Sequence, residues 1–176
     1  MSRRFALCLG LAAAAVTGCD ADVKEATIRV DHYREPCPDG EPGFCFRVLD
    51  SSDPTIVAPM EIAGFEYHGG RVYELAVLVS DDGEAQEVDL IDVLEETQVP
   101  DDERFELVLE PGFVERVENR EFQLVAHARA YCPSTEVCQA VGKAVVEGRR
   151  FAVELSHHPE DSGAFIAHAV TDLEDR

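Results

Sequence analysis

Four cysteines in two close pairs limit this fold more than any other feature: Cys37 with Cys45, and Cys132 with Cys138. Bridging each pair would pinch the chain into two tight loops. That pairing needs an oxidising compartment, and the N-terminus points to one. Arg3-Arg4 precede the apolar run Phe5 to Val16, and Thr17-Gly18 supply small residues for cleavage. A basic start, a short apolar core and a small-residue cut site predict a secretory signal peptide over residues 1–18. The apolar run is too short to span a bilayer comfortably as a helix. Cys8 leaves with the leader. Four cysteines still allow three connectivities, and spacing leaves the other two open. Either short loop would stabilise by about 2–3 kcal/mol through lost chain entropy.

The cut site ends in cysteine, and Val16-Thr17-Gly18-Cys19 resembles the lipobox of bacterial lipoproteins. The resemblance implies cleavage before Cys19 and acyl chains, palmitate among them, on that residue. The membrane would then be contacted through an N-terminal lipid in the cell envelope, since two or more chains anchor stably where one does not. Inner and outer membrane stay open, because the retention rule attached to Asp20 in enteric bacteria does not transfer to others.

Charge narrows the partners. The formal net charge is −21, and loss of Arg3 and Arg4 with the leader makes the rest of the chain more negative still. Such a surface repels phosphate backbones, so nucleic acid is excluded as a partner. It also repels anionic headgroups, so the body should stand off its membrane. Cationic partners and metal ions would be attracted.

Along the chain, residues 19–26 read as a polar tether. Thr27 to Tyr33, Phe44 to Leu49, Val72 to Val79 and Val88 to Leu94 carry strand alternation. The Pro- and Gly-rich stretch from Cys37 to Cys45 predicts a rigid turn, and Asp81-Asp82-Gly83-Glu84 another. Pro100-Asp101-Asp102-Glu103 is a charged break that separates a first β domain, 27–99, from a second, 104–173. There, Phe105 to Leu109, Glu121 to Tyr131, Phe151 to Leu155 and Phe165 to Val170 read as strands. Val137, Val141, Ala144 and Val145 form the stripe of one helix over about Thr135 to Glu147, with Gly148 placed to end it. Six helical steps of about 1.5 Å would hold Cys132 and Cys138 roughly 9 Å apart, more than the ~7 Å a disulfide tolerates. Cys132 must therefore lie off the helix if the two are bridged. Gly70-Arg71-Val72-Tyr73-Glu74-Leu75 also resembles Gly148-Arg149-Arg150-Phe151-Ala152-Val153, a faint internal repeat that two generic hairpins would equally produce. The predicted class is mainly β (α+β): two small β-rich halves, OB-like partly open barrels or a two-sheet sandwich, with one helix in the second half.

Three pieces carry a family resemblance: the cysteine pair in Tyr33-Arg34-Glu35-Pro36-Cys37 and Phe44-Cys45-Phe46-Arg47-Val48; the run Glu61-Ile62-Ala63-Gly64-Phe65-Glu66-Tyr67-His68-Gly69-Gly70; and Tyr73-Glu74-Leu75-Ala76-Val77 with Leu90-Ile91-Asp92-Val93-Leu94. Together they make residues 27 to about 97 similar to the bacterial domain-of-unknown-function family 4377. The resemblance implies a secreted or lipid-anchored protein and supplies no catalytic residues. The chain departs from the family at Asp50-Ser51-Ser52-Asp53-Pro54. Within the Gly-Phe run, Phe65 and Tyr67 alternate as strand side chains, and Gly69-Gly70 permits a turn or bulge. Gly64 and Phe65 read as fold residues.

Few residues suggest chemistry. His157-His158-Pro159-Glu160-Asp161 places four ligand types, His157, His158, Glu160 and Asp161, within five positions and is the best metal candidate. Adjacent histidines at a strand end point to opposite faces, which favours a solvated turn. Asp81-Asp82-Gly83-Glu84 and Asp39-Gly40-Glu41 lack the spacing of a twelve-residue calcium loop. His32, His68, His127 and His168 stand singly. No nucleophile elbow, phosphate loop or zinc-protease motif is present. The expectation is a non-enzymatic, cofactor-free envelope protein acting as an interaction module toward an envelope protein or cell-wall partner. A small-ligand or metal-binding lipoprotein is the alternative. A protease inhibitor using the Cys37–Cys45 loop is a weaker third.

Overall fold

The computed structural model describes residues 22–38, 42–81, 83, 85–125 and 127–173. The leader, Cys19 and Asp20 lie outside these residues, as do Asp39, Gly40, Glu41, Asp82 and Glu84 of the acidic turns.

Alternating apolar residues build the first sheet. It comprises β1 (Asp22–Pro36), β2 (Phe44–Ser51), β3 (Arg71–Asp81) and β4 (Gln86–Gln98), in the order β2-β1-β3-β4 and antiparallel throughout. Ile28, Val30, Phe46, Tyr73, Leu75, Val77 and Val88 meet on its buried face. The tether expected at 19–26 is corrected: from Asp22 the chain is already strand, with Asp22 opposite Asp81 and Ala26 opposite Val77. Main-chain hydrogen bonds hold this segment while its first four side chains stay in water, so polarity alone misread it.

The run 61–70 is also corrected. It is an irregular crossing over the sheet and not a strand, with one parallel bridge at Ala63 to Asp89. Gly64 turns it with φ +79. Phe65 and Tyr67 both pack near Phe46, at ring distances of 5.8 and 5.3 Å. They are fold residues in this sense.

The second sheet comprises β5 (Arg104–Leu109), β6 (Val114–Val117), β7 (Glu121–Leu124), β8 (Arg129–Tyr131), β9 (Phe151–His158) and β10 (Asp161–Asp172), in the order β5-β9-β10-β8-β7-β6. The single strand expected over 121–131 is divided, because Ala128 returns to Leu124 in a tight turn (Leu124 N–H to Ala128 C=O, 2.9 Å). The β8–β10 pair is parallel, and α1 (Thr135–Val146) lies in the crossover between them. Cys138, Val141 and Ala144 are its buried residues. Gly148, at φ +67, ends it. Its N–H reaches the Val145 carbonyl at 3.2 Å and Arg149 N–H reaches that of Ala144 at 2.9 Å, the two bonds of a Schellman cap.

Both short-range disulfides are present, Cys37–Cys45 and Cys132–Cys138. Cys132 sits between β8 and α1, off the helix, with its Cα 5.8 Å from that of Cys138. Neither sheet closes into a barrel among the described residues: β2 and β4 are the edges of one, β5 and β6 of the other. Gly70 and Gly148 both have positive φ and precede hairpins. The hairpins sit differently, β3 between β1 and β4 but β9 between β5 and β10.

The sheets part at the Pro100–Glu103 break, but the cores do not divide there. Tyr33 and Phe44, from β1 and β2, belong to the core of the second sheet. The β1 ladder to β3 ends at Val30–Tyr73, and its register to β2 slips between Val30 and Arg34. Over that slip Asp31, His32 and Tyr33 are all buried, because the second sheet covers the face that alternation would leave to water. Tyr33 stacks on Phe105 at 4.3 Å.

Candidate functional site

The register slip in β1 delivers His32 to the junction of the two sheets. From the other side comes His157, near the end of β9 and beyond the last β5–β9 pair, Arg104 with Ser156. His32 Nδ1 and His157 Nε2 are 2.8 Å apart and buried. Phe105 packs against both imidazoles, and Phe165 against that of His157. The buried Asp31 accepts the His32 backbone N–H at 2.8 Å. Its carboxylate also faces His32 Nε2 at 3.7 Å and Arg47 at 3.2 Å. Arg47 in turn bonds the Tyr33 hydroxyl.

Charge sets the direction of the protons. The Asp31 carboxylate favours the tautomer with its proton on His32 Nε2, which leaves Nδ1 as an acceptor. His157 Nε2–H then donates, and His157 Nδ1 is left as a buried lone pair with no hydrogen-bond partner. Gly69 covers it: a Cβ there would fall 3.4 Å from Nδ1 and 3.0 Å from the Ser162 carbonyl oxygen. Gly70 N–H donates to the His32 carbonyl at 3.0 Å. The Gly69-Gly70 pair is thus the expected turn before β3, with Gly70 at φ +84, and also a cap on the imidazoles.

Burial holds His157 neutral, lowering its pKa to about 4, with His32 beside it adding to the effect. His32 is lowered by burial and by Arg47, against the pull of Asp31 and Glu103. His127, stacked on Phe44 at 4.6 Å, is lowered to about 4, chiefly by burial. His168 is lowered by burial and Arg104, and its Nε2 lies 2.9 Å from Ser156 Oγ. At neutral pH the pair can share a proton across the junction without carrying charge.

The sequence's metal candidates are not gathered. His157 turns inward. His158 packs toward Tyr131 and takes the Glu160 N–H on Nδ1 at 3.2 Å. Asp161 pairs with Arg129 at 3.3 Å. Among the described residues no three His, Cys, Asp or Glu stand close enough to hold a metal ion. In the Asp81 turn, Asp81 Oδ1 accepts the Gly83 N–H at 2.8 Å, a local backbone role. A cleft of about 300 Å³ opens beside the junction, lined by His68, Arg71, Gln98, Asp101 and Ser162 among others.

Sequence reasoning missed Asp31, Arg47 and the His32–His157 contact. A faint signal existed: Val30-Asp31-His32-Tyr33 interrupts the apolar–polar alternation with two polar residues that a solvated strand end would equally carry.

No family model, curated protein or solved structure matches this chain. The fold defines a two-sheet, disulfide-bridged β-rich protein with a polar joint at its centre.

Proposed function

We propose that this protein is a non-catalytic interaction module, lipid-anchored in a bacterial envelope through Cys19. The observation that carries the reading is where the fold spends its polar residues. Asp31, His32, Arg47 and His157, the groups best suited to chemistry, are turned on one another in the joint. What the protein presents outward is carboxylate, with a net charge of −21, and an edge strand with apolar residues in water. The lipobox-like Val16-Thr17-Gly18-Cys19 supports the anchor. The cysteine pair and Gly-Phe run support kinship with family 4377. A basic face on an envelope protein or a cell-wall component is the partner such a field would steer.

The test is cross-linking in intact cells, with the native lipidated protein purified and its attachments identified by mass spectrometry. A reproducible partner, lost in Cys19→Ser and in high salt, is the expected result. Background only would sink the interaction reading. Cys19→Ser staying wholly on membranes would sink the anchor.

The cleft beside His68, Gln98 and Asp101 favours a second reading, a small-ligand-binding lipoprotein. A ligand that raises the melting temperature through linkage would identify it, provided that replacing the exposed His68 and Asp101 by alanine removes the gain.

A further inference from the structure

The outer edge of β4 is covered over only part of its length. Ala63 bonds it on both sides of Asp89, donating its N–H to Val88 C=O at 2.8 Å and accepting from Leu90 N–H at 2.9 Å. Gly64 then turns the crossing chain away, with φ +79. From Ile91 to Gln98 every residue is exposed, and β3 pairs with the inner side while no described strand lies along the outer one. The register to β3 slips twice in this stretch, between Leu90 and Asp92 and between Val93 and Glu95. The residues in the slips are Ile91 and Leu94, each 51% exposed, with Val93 at 39% between them. Bulges of this kind bend a strand and re-aim its side chains. Here they set large apolar groups in water on a strand whose other side chains include Glu87, Asp89, Asp92, Glu95 and Glu96, with no lysine or arginine.

Charge decides what can lie there. A second copy of this chain would bring the same carboxylates face to face, and like charges opposed across strands repel. An anionic membrane surface is repelled for the same reason. Resting on the interaction-module reading, we infer that Ile91–Gln98 docks an extended segment of a partner protein in which basic and apolar residues alternate. The segment adds as a strand beyond Ala63, its main chain bonding the edge on either side of Val93, whose N–H Asp92 Oδ1 accepts at 2.9 Å. Its apolar side chains cover Ile91, Val93 and Leu94, and its cations meet Asp92 and Glu95. Main-chain bonds would supply affinity and side chains specificity, as in other strand additions.

The probe is a peptide of alternating valine and lysine, long enough to run beside Ile91–Gln98, added to the lipidated protein in neutral detergent. Hydrogen exchange should slow in 91–98, and affinity should fall about tenfold or more when salt rises from about 50 mM to about 500 mM. Asp92→Lys with Glu95→Lys, both surface changes, should abolish binding. A proline–lysine peptide has the same charge but cannot pair as a strand, and should give no protection. Protection elsewhere, equal binding of the proline peptide, unchanged binding in the double variant, or dimerisation through 91–98 would each overturn the inference. In cells, a partner still captured by the double variant would sink the edge and spare the interaction module. Capture of no partner by the unaltered protein would sink both.

Discussion

His32 Nδ1 lies 2.8 Å from His157 Nε2 across 125 positions of sequence, and this one contact ties a strand of the first sheet to a strand of the second. Because both rings are buried and lowered in pKa, the joint is stable only while neutral. In the unfolded chain each histidine titrates near 6.5. As pH falls below that value the unfolded state takes up protons that the folded state refuses, so stability is lost between about 6.5 and about 4. His157 alone, at about 4 in the fold, accounts for about 2 kcal/mol by pH 5. Chemical denaturation at pH 7 and pH 5 should show this fall, and His32→Leu with His157→Leu should shrink it by about that amount. An equal fall in both proteins would refute the assignment.

The same pair predicts non-additive mutations. His157→Leu alone strips His32 Nδ1 of its donor, and His32→Leu alone strands the His157 N–H; each should cost about 1–3 kcal/mol at neutral pH. The double variant removes both polar partners and should cost less than the two singles together. A denaturant double-mutant cycle checks this, and a coupling indistinguishable from zero would contradict the contact.

Much of the scaffold was legible because local patterns and tertiary burial agree. Tyr73, Leu75, Val77 and Val79 alternate and are buried as alternation requires. The α1 stripe and its Gly148 stop also read correctly, and helical rise set against the reach of a disulfide placed Cys132 off the helix. The failures have one cause, structure set by distant chain. Asp22 to Glu25 is strand because β3 pairs with it, and the run around Phe65 is irregular because it crosses the sheet. His32 has a partner only because a register slip turns it toward β9. Adjacent His157 and His158 did divide to opposite environments, as strand geometry demands.

Gly69 should resist substitution for reasons of space. Its Cβ would meet the Ser162 carbonyl oxygen at 3.0 Å and the His157 ring at 3.4 Å, so Gly69→Ala should cost about 1–3 kcal/mol by overpacking. At Gly83 nothing lies within 4 Å, and only its φ of +84 opposes a side chain. Gly83→Ala should therefore cost less, about 1 kcal/mol. Thermal unfolding of the two variants would rank them, and the reverse order would show that Gly69 does not cap the joint.

Cys138 is buried in the second core. Replacing Cys132 and Cys138 by serine should cost about 2–5 kcal/mol, from lost loop closure and from burying a hydroxyl. Tyr33 and Phe44, from strands of the first sheet, pack into the second core, so the loss should appear as one shifted transition in calorimetry. Two separated transitions would show that the sheets unfold independently.

The central claim is that binding belongs to the outward acidic edge and the histidine pair belongs to the fold. Cross-linked partner capture should be measured side by side for the unaltered protein, for His32→Leu with His157→Leu, and for Asp92→Lys with Glu95→Lys. The account predicts that the histidine-free protein keeps its partner and the charge-reversed protein loses it. The opposite pattern would contradict it and move the functional site to the joint between the sheets.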